Sequence, residues 1–72
     1  MKLTDKAKKL AMDLWKEQVQ SGLFPEETPD EDRIDEWIGN RSYPLSVLES
    51  AATGDVAALA EVRSEAGLTI FL

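Results

Sequence analysis

Seventy-two residues with a net charge of −6, and with neither cysteine nor histidine, set narrow terms for this chain. A disulfide framework is excluded and a zinc site nearly so, leaving a small core to rely on capped helices, tight packing or a partner. No apolar run approaches the ~20 residues that a bilayer span needs, and the negative charge opposes direct binding to nucleic acid or to an anionic membrane.

The N-terminus, MKLTDKAKKLAMDLW, has lysines but no continuous apolar core behind them, so no signal peptide is expected. The absence of cysteine fits a reducing cytoplasm. Thr4 is placed to cap a first helix running to about Ser21, which Gly22 ends in a left-handed turn. On a wheel, Leu3, Ala7, Leu10, Ala11, Met12, Leu14, Trp15 and Val19 fill an arc of roughly 200°, interrupted by Lys8 and Gln18. So wide an arc needs more than one neighbour, and this helix is expected at the centre. Leu23 and Phe24 are expected to fold back on its end before Pro25.

From Pro25 to Gly39, seven of fifteen side chains are carboxylates and only Arg33 opposes them. They are Glu26, Glu27, Asp30, Glu31, Asp32, Asp35 and Glu36. Residues 1–20 are net +2, residues 21–40 net −6 and residues 41–72 net −2, so the excess is local. Thr28-Pro29-Asp30-Glu31 has the pattern of a capping box with proline at the first helical position, predicting a second helix over about 29–38. Ile34, Trp37 and Ile38 would be its buried stripe, which turns Asp32, Asp35 and Glu36 outward.

Pro44 suits the first turn of a third helix, about 44–53, burying Leu45, Val47, Leu48, Ala51 and Ala52. Gly54 breaks it and Asp55 caps a fourth, about 56–66, burying Val56, Leu59, Val62 and Ala66 before Gly67. The closing LTIFL is apolar enough to dock on the core. The expectation is one all-α domain over residues 1–72, a compact bundle of four short helices with the tail docked on it.

Enzymatic chemistry finds no foothold. Without cysteine or histidine nothing activates a nucleophile, and the lysines of residues 2–16 have no serine coupled to them. Glu31/Asp35 and Asp32/Glu36 are one turn apart, but the first helix offers only Asp13 and Glu17 as facing ligands and no calcium-loop pattern is present. No metal or cofactor is implied. A helix-turn-helix could be laid over the second and third helices, yet PLSVLESAAT has no arginine, lysine, asparagine or glutamine to meet a base edge. Such a regulator would have to use the lysines of the first helix in a dimer.

Tyr43-Pro44-Leu45, then Ala51-Ala52-Thr53-Gly54-Asp55, then Gly67 is similar to a single ankyrin unit, with longer spacings, and implies two antiparallel helices over about 25 residues. The acidic stretch has three readings: a solubilising face, a docking surface for a basic protein, or an imitation of nucleic-acid phosphates. Duplex DNA carries one charge per about 1.7 Å, a density that seven acids within three helical turns approach. In size, acidity, single-domain build and lack of histidine and cysteine, the whole chain resembles the small inhibitors that phages encode against host defence or transcription, anti-CRISPR proteins among them. That resemblance is one of general character and implies stoichiometric block of a nucleic-acid-handling complex in a bacterial cytoplasm, by a monomer or small homo-oligomer. A generic helical interaction module is the alternative, and a helix-turn-helix regulator the third reading.

Overall fold

The computed structural model describes residues 3–23 and 26–68. It is all-α: α1 (Asp5–Gln20), a 3-10 turn (Glu31–Arg33) running directly into α2 (Ile34–Gly39), α3 (Leu45–Ala52) and α4 (Val56–Glu65). The four-helix bundle expected from the sequence is what forms. Phe24 and residues 69–72, where the expected fold-back and docked tail fall, lie outside the described residues; Leu68, just before them, is buried.

Local rules account for three of the helices. The Thr4 hydroxyl accepts from the Ala7 amide at 3.2 Å, and the Asp55 carboxylate accepts from the Ala58 amide at 3.1 Å, so α1 and α4 begin where their caps stand. α1, α3 and α4 close alike, on Gly22, Gly54 and Gly67 at positive φ. At the end of α1 the Leu23 amide reaches back to the Gln18 carbonyl at 3.1 Å and the Gly22 amide to Val19 at 3.1 Å, the paired bonds of a Schellman turn. α3 starts one residue later than expected, with Pro44 at the cap position in an extended conformation.

The acidic stretch departs from expectation. Thr28 caps nothing; the chain stays irregular through Asp30, whose own carboxylate accepts from the Asp32 amide at 2.9 Å and starts only a short 3-10 turn. α2 proper begins at Ile34 and is six residues long. A helix begun at Pro29 would set Glu31 against Asp35, and Asp32 against Glu36, in like-charge pairs one turn apart, which oppose it. Gly39 is the last helical residue of α2, with Asn40 at its cap.

α1 is central, as its wide arc requires: Ala7, Ala11, Leu14 and Trp15 are buried against Ile34, Trp37 and Ile38 of α2 and Leu48 and Ala51 of α3. Glu49 Oε1 accepts from both the Thr4 amide (3.1 Å) and hydroxyl (3.0 Å), tying the start of α1 to α3. α4 packs mainly on α3. It touches α1 through polar links, a bidentate pair of Arg63 with Glu17 and a hydrogen bond from Gln18 Nε2 to the Ala66 carbonyl (2.9 Å). Val56, expected in the core, is 67 % exposed; it lies about 120° around the helix from buried Val62.

Candidate functional site

Every carboxylate singled out in the sequence is exposed. Glu26 and Glu27 stand on the irregular segment, Asp30 at the cap, Glu31 and Asp32 on the 3-10 turn, and Asp35 and Glu36 in the first turn of α2. The stripe of Ile34, Trp37 and Ile38 is buried as expected, which sends Asp35 and Glu36 to solvent. The structure therefore gathers the seven on one continuous piece of chain, although not on one helix.

Among the described residues, three of the seven are engaged. Glu27 Oε1 accepts from the Trp15 indole N–H at 3.1 Å, Asp30 is the cap, and Glu36 pairs with Arg33 at 3.3 Å with both side chains well exposed. That exposure leaves the Arg33–Glu36 pair a weak restraint. Among the described residues no lysine comes within ion-pair distance of any of the seven. Lys8, Lys9 and Lys16 of α1 do share a groove of about 680 Å³ with Glu31 and Asp32, floored by Met12 and Ile34. The acidic field is thus tempered on the α1 side, around Glu31 and Asp32. No group of three or more metal-ligating side chains converges among the described residues.

Behind the acids lies a scaffold that composition did not reveal. The Trp15 and Trp37 rings stack 6.4 Å apart and 19° from parallel. The Trp37 N–H donates to Gln18 Oε1 at 3.0 Å, and the Arg41 guanidinium sits 4.4 Å from the Trp37 ring centre. Arg41 is in turn held by Glu65 at 3.3 Å, and Glu65 also accepts from the Ser42 amide at 2.7 Å. α2 is therefore clamped from inside by Gln18 and from outside by Arg41. Gln18, read from the sequence as an interruption of the apolar arc, is 2 % exposed and is its polar centre. The available signal was the tryptophan count, since each buried indole brings an N–H that needs an acceptor.

Tyr43 sits beside this clamp. Burial, and secondarily the Glu65 carboxylate, push its phenol up to about 12 against an opposing effect of Arg41. Its hydroxyl is buried without a hydrogen-bond partner among the described residues.

The class that fold and surface define is a small all-α domain displaying a carboxylate-rich segment on a tryptophan-clamped core. Comparison with protein-family models, with curated proteins and with solved structures finds no match for the chain. No helix among the described residues is long and apolar enough to cross a membrane.

Proposed function

We propose that this chain is a non-enzymatic, stoichiometric inhibitor that docks its acidic segment on a basic surface of a nucleic-acid-handling protein complex, where its carboxylates take the place of phosphates. One observation carries the reading: seven exposed carboxylates on eleven consecutive residues, none within ion-pair distance of a lysine among the described residues, on a support clamped by the tryptophan pair. Exposed charge of one sign steers association and sets specificity, and it needs neither cofactor nor catalytic group. The anti-CRISPR-like character of the whole chain points the same way, towards phage-encoded block of a host complex.

A second reading, a general helical interaction module without mimicry, is favoured by the shared groove. Lys8, Lys9 and Lys16 there give part of the acidic face a mixed sign that a phosphate imitation does not require. The helix-turn-helix reading has less support, because α2 is six residues long and α3 carries no basic residue.

The test is a pull-down from the source cell at low and high salt, with wild type and a variant carrying Asp32→Asn, Asp35→Asn and Glu36→Gln. A mimic retains a nucleic-acid-binding complex at low salt, releases it at high salt or on adding DNA or RNA, and loses it in the variant. Retention of that complex by the variant at both salts would overturn the reading. Capture insensitive to salt and to competing nucleic acid would select the general module.

A further inference from the structure

We infer that Glu27 is a positioning residue, one that pins the acidic segment to the core through Trp15 and does not itself meet the partner as a charge. The inference rests on the reading of the other carboxylates as the docking surface and divides the labour among them.

Residues 26–29 make no backbone hydrogen bond to another described residue, and the first such bond in this part of the chain runs from the Arg33 amide to the Asp30 carbonyl (3.0 Å). The only hydrogen bond tying 26–29 to the described fold is the one from the Trp15 indole to Glu27 Oε1. Its donor is fixed from behind. The Trp15 ring is 3 % exposed and stacked on Trp37, whose own N–H is spent on Gln18. A buried indole N–H at the rim of a core has to find an acceptor, and leaving it unpaired is costly. Glu27 meets that need, and in doing so settles where the chain on either side of it runs. Glu26 and the irregular chain up to Asp30 take their places from it, while Glu31 and Asp32 ride on the turn that leads into α2.

What the indole requires is an oxygen acceptor, not a negative charge. An amide serves equally, a methyl does not, and the two substitutions separate the roles because both remove the same charge. In Glu27→Ala, exchange of the Trp15 indole proton, followed by NMR, should accelerate roughly 3- to 10-fold, the equivalent of one lost hydrogen bond. The amides of residues 26–28 and 30 should at the same time gain fast motion in ¹⁵N relaxation. Glu27→Gln should match wild type in both. Affinity for an oligolysine peptide at low salt should be retained within about twofold by Glu27→Gln, and reduced by Glu27→Ala and by Asp32→Asn.

Glu27→Gln behaving as Glu27→Ala in exchange and relaxation would overturn the assignment, as would a Glu27→Ala spectrum with exchange and motion unchanged. Loss of oligolysine affinity in Glu27→Gln equal to that in Asp32→Asn would make Glu27 a charge contact after all. Should no substitution alter peptide affinity, the docking reading fails while exchange and relaxation still decide the pin.

Discussion

The side-chain amide of Gln18 accepts from the Trp37 indole N–H at 3.0 Å and donates to the Ala66 carbonyl at 2.9 Å, so one residue of α1 fastens both α2 and the end of α4. Both bonds lie in the interior, where a polar group stripped of its partner keeps its desolvation cost. Gln18→Met, which keeps the volume and removes both bonds, should cost about 2–5 kcal/mol in urea denaturation, a large share of the stability available to a domain this small. A cost under about 1 kcal/mol would show the two groups finding other partners.

The start of the acidic stretch separates two descriptions of it by mutation. Asp55→Ala removes a cap that is made, and should lower stability by about 1 kcal/mol. Thr28→Ala removes one that the sequence pattern suggests and the structure does not form, so its effect should stay within about 0.5 kcal/mol. Thermal unfolding of the pair checks both. A Thr28→Ala loss matching that of Asp55→Ala would restore the capping box.

That contrast marks how far the fold was legible. α1, α3 and α4 were readable because cap, periodicity and closing glycine agree, as with Thr4, the Leu14–Trp15 face and Gly22 along one helix. The acidic stretch was not, because a local pattern at Thr28 competes with repulsion among Glu31, Asp32, Asp35 and Glu36 and with the distant Trp15–Glu27 bond. The carboxylates themselves were plain in the sequence. Of their supports, Gln18 and Glu65 were hidden because each bonds to groups 19 or more residues away, and Arg41, although four residues from Trp37, is held over its ring by the distant Glu65.

Glycine substitutions should act with opposite signs. Gly67 has φ +76°, and a Cβ there would stand 3.4 Å from a Leu23 methyl, so Gly67→Ala should cost about 1–2 kcal/mol. Gly39 is helical and faces open space, so Gly39→Ala should stabilise by about 0.5–1 kcal/mol. Equilibrium denaturation of the two variants reads the difference directly.

Tyr43 gives the fold an alkaline limit. Folded, its phenol holds the proton to about 12; unfolded, it releases it near 10.0. Between those values the native state binds more protons, so this contribution is intact below pH 10 and is lost as pH rises towards 12. Tyr43→Phe should remove that part of the decline. Near neutral pH it should cost less than about 1 kcal/mol, because the hydroxyl it deletes has no partner among the described residues. Denaturation curves for both proteins on either side of pH 10 test the two statements together.

The tryptophan stack carries a consequence for watching this molecule at work. One ring belongs to α1 and the other to α2, and at 6.4 Å they exchange excitation energy before either emits. Because that exchange needs the rings this close, the intrinsic tryptophan signal is an unlabelled reporter of the α1–α2 contact. It would change as soon as the helix bearing Asp35 and Glu36 swung away from its seat.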